Sequence, residues 1–398
     1  WRNVWELGGW AGMLGKQKKE QKLPDWRNLW RVVVVFVLLG LAAYGGIFFF
    51  LRGATDPEQE SLYDVAQTAV VILGVVTVGG AAAIQYRKQR VLEQASEMER
   101  DTKCSERLTK AIEHLGHDTN VSIRIGAVYE LKRLAEDSAK DREDITKILS
   151  AFVRMGIEPL SSPQKPTANG TVTLPRPGSD IFIAADILSL LFEEYQCRAS
   201  LDRLYAEHVD LSRISLNGAY LREAVLNGGG FDCAKLNEAN LRETELNKAE
   251  LNRAELIGAE LNGAKLNWAE LNWAELNETK LIGAELNWAE LNEAKLNKAK
   301  LNWAKLIGAK LMGAELNGAE LIGAELIGAE LNGTELNDVD LNWADLRRTT
   351  SLTIEQLETV LLDKNTKLDP NLSRHFFPEH PPTTPQPPEP LQSSEPSV

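Results

Sequence analysis

Leucine returns at every fifth residue from Leu211 to Leu346, and that period decides most of what this chain can become. The run from Val209 to Arg348 holds 28 such units in 140 residues, with Phe231 replacing leucine in one of them. Its richness in Ala, Glu, Leu and Lys suits a helix, but the period does not. Five residues turn an α-helix by about 500°, so successive leucines would spiral over every face. Asn or Gly in almost every unit adds a helix penalty. In extended backbone, residues i−2 and i point to the same side. In Ala254-Glu255-Leu256-Ile257-Gly258 the Ala and the Leu therefore face inward together. A corner after each unit keeps every leucine interior, and coils of this kind stack on one another as a solenoid. The expected core column includes Leu211, Phe231, Leu256, Leu301 and Leu346.

This run resembles the pentapeptide-repeat family, whose unit reads small–Asp/Asn–Leu/Phe–polar–Gly. The resemblance implies a mainly β fold, a right-handed quadrilateral β-helix with four units per coil, so the 28 units make about seven coils. At about 4.8 Å between strands the stack is roughly 34 Å tall. Ala199-Ser200-Leu201 reads as a degenerate first unit, which sets the solenoid at 199–348. Residues 107–154 are similar to the helical module that precedes the repeats in membrane-linked members, so the chain resembles the membrane-anchored type. It departs from the family pattern before the central Leu, where Glu or Lys mostly replaces Asp or Asn. Short side chains there can bond to the local turn and long ones cannot, so the corners are expected to differ in detail.

Two uncharged runs precede the repeats. Residues 32–51 and 65–84 are each 20 residues long, enough for about 30 Å of helix, the hydrocarbon thickness of a bilayer. Small residues four apart, Ala42 and Gly46 and then Gly79 and Ala83, allow close helix approach in lipid. Lys and Arg are in excess in 1–31 and just after residue 84, while 52–64 holds Asp56, Glu58, Glu60 and Asp64. That asymmetry predicts a transmembrane hairpin with a basic cytoplasmic segment at 1–31, an external loop at 52–64 and both termini cytoplasmic. The expected location is the cell membrane, or the thylakoid membrane in a cyanobacterium. No charge lies mid-span, so no ion pathway is expected.

The remaining segments follow from periodicity and punctuation. Apolar stripes through Leu108 and Ala111, Val128 and Leu131, and Leu149 and Val153 predict a helical module at 87–155. Pro, Ser, Thr and Gly mark a linker at 156–179, followed by a capping helix at 180–198. Open coil edges invite aggregation, so a second cap is expected at 351–369. There Thr353-Ile354-Glu355-Gln356 is a capping-box pattern that opens a helix through Leu362. The Pro-rich tail at 375–398 is expected to be disordered.

No catalytic constellation appears: the repeats lack His, and P-loop, GxGxxG, HExxH and GxSxG motifs are absent. The three cysteines, Cys104, Cys197 and Cys233, have neither disulfide nor zinc spacing. His114 and His117 share a helical face near Cys104, but an amphipathic helix end is the better reading. No cofactor and no metal are expected, and the chain is read as a non-enzyme.

The expectation is instead a scaffold for protein–protein interaction. Residues 20 apart stack in a four-unit coil, so Glu245, Lys265, Glu285, Lys305 and Glu325 form one alternating ladder, read as a solvated, salt-bridged surface. Trp268, Trp273, Trp288, Trp303 and Trp343 follow their central Leu by two residues and point outward, with Trp268 and Trp288 expected to stack. They are the candidate partner surface, since interfaces favour Trp. Expected partners are a protein of unspecified identity and the lipid bilayer through residues 32–84, with a second copy of the chain also open. A net charge of −13 argues against nucleic acid. The alternative, by resemblance to family members that protect gyrase, is a DNA-mimicking modulator of a DNA topoisomerase.

Overall fold

The computed structural model describes residues 60–161 and 173–377, together with Leu38 and Ala42. It divides into two compact units, residues 1–103 and 104–398. Helix α1 (Glu60–Leu115) is continuous over 56 residues. Among the described residues no helix is long and apolar enough to cross a membrane. The expected pair of spans thus finds no support in the fold. Apart from Leu38 and Ala42, the first, 32–51, lies outside the described residues. The second, 65–84, lies within α1, which continues into a charged stretch, 85–103, that is exposed throughout.

In the second unit, α2 (Val121–Asp137), α3 (Arg142–Ile157) and α4 (Ser179–Tyr195) pack through apolar faces that bury Leu131, Leu149 and Leu188. Asn120 caps α2, its Oδ1 accepting the N–H groups of Ser122 and Ile123 at 3.0 and 3.3 Å. An ion pair to a buried carboxylate joins α2 to α4: Arg124 Nε donates to Asp180 Oδ2 at 2.6 Å.

The β-helix follows, and its regular stack begins at Ser200. From Ser200↔Tyr220 to Glu330↔Thr350 every bridge is parallel and joins residues 20 apart, four five-residue units per coil. Leu256 N–H donates to Glu275 O at 2.8 Å, and Glu275 N–H donates to Ala254 O at 2.9 Å. Each side is therefore one short parallel ladder. Leu211, Leu256, Leu301, Leu346 and Phe231 all lie in the dry interior, and so do the alanines two residues before most central positions. At each corner the N–H of the next unit's small residue returns to the leucine carbonyl, as from Ala259 to Leu256 O at 3.0 Å. The residue two after Leu takes a left-handed conformation, Gly258 at φ +67° and Trp288 at φ +61°.

At most corners asparagine follows the leucine, and its side chain bonds to the corner one coil on, even where that corner carries Ile257, whose N–H donates to Asn237 Oδ1 at 2.9 Å. Asn267 Oδ1 accepts from the backbone N–H of Asn287 at 3.2 Å and from its Nδ2 at 2.9 Å, one coil on. The Asn267 amide donates in turn to Glu285 Oε2 at 3.2 Å. The long Glu thus serves the neighbouring coil's turn rather than its own.

Both ends of the stack are covered. At the first coil, Ser200 N–H donates to Ser150 Oγ at 3.1 Å, Asn217 N–H to Ser189 Oγ at 3.0 Å, and Asp210 N–H to Pro175 O at 2.8 Å. These contacts occupy donors that an open edge would expose. At the far end the capping box of Thr353 and Gln356 is present, but α5 is only Ile354–Leu357. The helix expected to reach Leu362 stops there because the chain rejoins the stack: Leu361 N–H donates to Val339 O at 2.8 Å, and Lys367 bridges Asp345. A last helix, α6 (Pro370–Phe376), occupies the start of the segment expected to be disordered; beyond Phe377 the tail lies outside the described residues.

Candidate protein-binding face

The 20-residue period places four of the five candidate tryptophans around one side of the solenoid. In the coil of Glu285 that side runs from the corner Ile282-Gly283 to the corner Asn287-Trp288. Along the stack the first corner carries Gly263, Gly283, Trp303, Gly323 and Trp343, and the second carries Trp268, Trp288, Gly308 and Gly328. Between them runs the charged ladder Glu245, Lys265, Glu285, Lys305, Glu325 and Asp345. Trp273 is not part of this set. It lies one corner further round, with the Arg253 guanidinium 5.5 Å from its ring centroid.

Trp268 and Trp288 stack with centroids 5.4 Å apart and planes 13° apart. Trp288 then leans along the axis over Gly308, where an added Cβ would lie 2.5 Å from the ring; Trp303 covers Gly323 in the same way. Glycine here is needed for its left-handed backbone (φ +65° at Gly308) and for the ring that lies on it. No such cover exists at Gly283 or Gly328, where an added Cβ would meet nothing within 4 Å. The four tryptophans remain 50–62% exposed. Each occupies a left-handed backbone position, φ +60° to +64°, that costs a bulky residue about 1–2 kcal/mol relative to glycine.

The ladder is internally paired. Lys265 Nζ lies 2.8 Å from Glu245 and Lys305 Nζ 3.0 Å from Glu285. Hydrogen bonds from Lys305 and then Asn267 hold the Glu285 carboxyl below its ordinary range, and the Lys305 ammonium is raised by the same contact. On the next side Lys310 pairs with Glu290 at 2.7 Å, while burial and then the neighbouring Asp232 and Glu270 push Glu250 up. Among the described residues no group of three His, Cys, Asp or Glu could hold a metal ion. His117 Nδ1 instead accepts the Asn120 backbone N–H at 3.2 Å.

Sequence reading by type alone missed two features of this face. The isoleucines beside the glycines, Ile282, Ile307, Ile322 and Ile327, extend the apolar corners. The glycines themselves make recesses in line with the tryptophans. Writing the repeats in rows of 20 exposes both.

A model of pentapeptide repeats matches in eight copies, over residues 207–241, 234–272, 269–308 and 314–350. HetL, a pentapeptide repeat protein involved in heterocyst differentiation regulation in the cyanobacterium Nostoc, is 32% identical; the match spans 42% of this chain and 78% of HetL, with a TM-score of 0.17. A second pentapeptide repeat protein of Nostoc is 28% identical over 26% of this chain and 84% of its own, with a TM-score of 0.17. A trypsin-treated variant of QnrB1, a plasmid-mediated fluoroquinolone resistance protein, is 19% identical over 45% and 85% of the two chains, with a TM-score of 0.33. No curated protein matches the sequence significantly. The repeat models over residues 207–350 and the identity with HetL lead to one conclusion: this chain belongs to the pentapeptide-repeat family.

Proposed function

We propose that the chain is a non-catalytic scaffold that holds a protein partner on the side flanked by Trp268, Trp288, Trp303 and Trp343. The carrying observation is that large, half-exposed rings sit at corner positions whose strain-free occupant is glycine. Exposed aromatic surface of this kind favours a protein interface. A photoreactive phenylalanine analogue at position 268 of the full chain should crosslink to a polypeptide in cells, and the yield should fall when Trp288 and Trp303 become glycine. Absence of any crosslinked polypeptide would remove the reading.

The topoisomerase-modulator reading is weaker on charge. A DNA mimic needs uncompensated negative charge, and the ladders here neutralise Glu245, Glu285 and Glu290 with lysines one coil away.

Membrane association through residues 32–84 completes the proposal. Its support is the two uncharged sequence runs and their basic flanks. The expected outcome is retention of the full chain in the membrane pellet after alkaline carbonate washing; quantitative release to the supernatant would count against it.

A further inference from the structure

We propose that the partner of this face is a second copy of the chain, packed antiparallel about a two-fold axis that passes between the coils of Glu285 and Lys305. The proposal rests on reading this side as a protein-binding surface. A two-fold axis lying in the face and perpendicular to the stack reverses the order of coils but keeps each corner opposite the same corner of the other copy.

The charges select the register. With the axis between these coils, Glu285 faces the partner's Lys305 and Lys265 faces the partner's Glu325, and symmetry repeats both contacts. Only the ends oppose like charges, Glu245 against the partner's Asp345, and within each chain Asp345 is compensated by Arg347 at 2.7 Å and Lys367 at 3.3 Å. Shifting the axis half a coil, onto Glu285 or onto Lys305, sets like charges against each other. Parallel packing in register does so at every coil.

Two of the four tryptophans fit the same register. Trp268 comes opposite the partner's Gly328 and Trp303 opposite the partner's Gly283. These are two of the recesses that no ring of their own chain covers; Gly263, which meets only Glu243 Cγ at 3.7 Å, stays unfilled, and Trp343 comes opposite the partner's Glu243. Trp288 comes opposite the partner's Gly308, which the partner's own Trp288 covers, so the two Trp288 rings meet at the axis and stack on one another there. Moving the axis one full coil toward Glu245 would oppose Trp268 to the partner's Trp288 and take it away from the open recess at Gly328.

The area is of the right order. At about 150–250 Å² per buried tryptophan, the four half-exposed rings leave on the order of 400 Å² of aromatic surface. That is roughly half of the ~800 Å² per partner that a stable interface needs, and the ladder with its flanking isoleucines lies between and beside the rings.

The test is light scattering coupled to gel filtration on the full chain, across a dilution series. The protein mass should be twice 44.1 kDa at micromolar concentration. Glu325→Lys sets Lys against the partner's Lys265 twice per dimer and should weaken association roughly tenfold or more. Adding Lys265→Glu should restore it. That second change also places a carboxylate between Glu245 and Glu285 of its own chain, so a merely structural effect would make the double variant worse than the single one. Trp268→Gly with Trp288→Gly, which the left-handed corners accept, should leave a folded monomer. A monomeric wild type, indifference to Glu325→Lys, or a double variant weaker than the single would each overturn the dimer. A crosslink from position 268 to a different protein, with the chain itself monomeric, would overturn the dimer and leave the binding face standing; no crosslink at all would remove both.

Discussion

Replacing Arg124 by alanine is expected to destabilise the unit that holds α2, α3 and α4 by about 3–5 kcal/mol, because it leaves the Asp180 carboxylate buried without its cation. The Asp180 side chain is only 3% exposed, and its Oδ1 has no hydrogen-bond partner among the described residues. Arg124 also donates Nη1 to the carbonyls of His117 at 2.8 Å and Asp118 at 3.2 Å, so one guanidinium ties the turn before α2 to the start of α4. Denaturant titration of the full chain, followed by helical circular dichroism, would read the loss. Arg124→Met with Asp180→Leu should recover most of it, since an apolar pair of similar volume removes both charges. If Arg124→Ala proved neutral, the pair would not be holding α2 to α4.

Leu301→Ala should cost about 2–5 kcal/mol, the range for a truncated core leucine whose surroundings close only partly. Leu301 is 1% exposed in the middle of the stack, where the neighbouring central residues are also leucines already packed in place. Coils of a solenoid touch only their neighbours, so the damage should be local. Hydrogen exchange should accelerate first in the coils on either side of Leu301 and least near the helices before Ser200. A loss below about 1 kcal/mol, or one spread evenly over the whole stack, would contradict a packed column of this kind.

The β-helix was legible because a five-residue period fits no helix face, and that argument needs no knowledge of the corners. The corners themselves were not legible from side-chain length. The long Glu and Lys before each Leu drew attention, while the work is done by the Asn after it, which bonds to the next coil 20 residues away. The C-terminal cap misled for a related reason. Thr353 and Gln356 form a genuine capping box, but it opens a single turn, because Leu361 has a ladder partner in Val339 that local pattern cannot reveal. For the binding face, the spacing placed Trp268 over Trp288, yet the five tryptophans looked equivalent until the four sides were distinguished. Only then did Trp273 separate from the others and did Gly283 and Gly328 emerge as recesses.

The uniform step of 20 residues also sets how such a chain can change length. Excising one whole coil downstream of Glu285 would shorten the rod while every surviving side chain kept its azimuth. Excising a single unit would turn everything after the cut by a quarter of a revolution and carry Trp303 and Trp343 to a different edge. Length in multiples of four units is therefore nearly free to vary, whereas any other increment scrambles which residues look in the same direction.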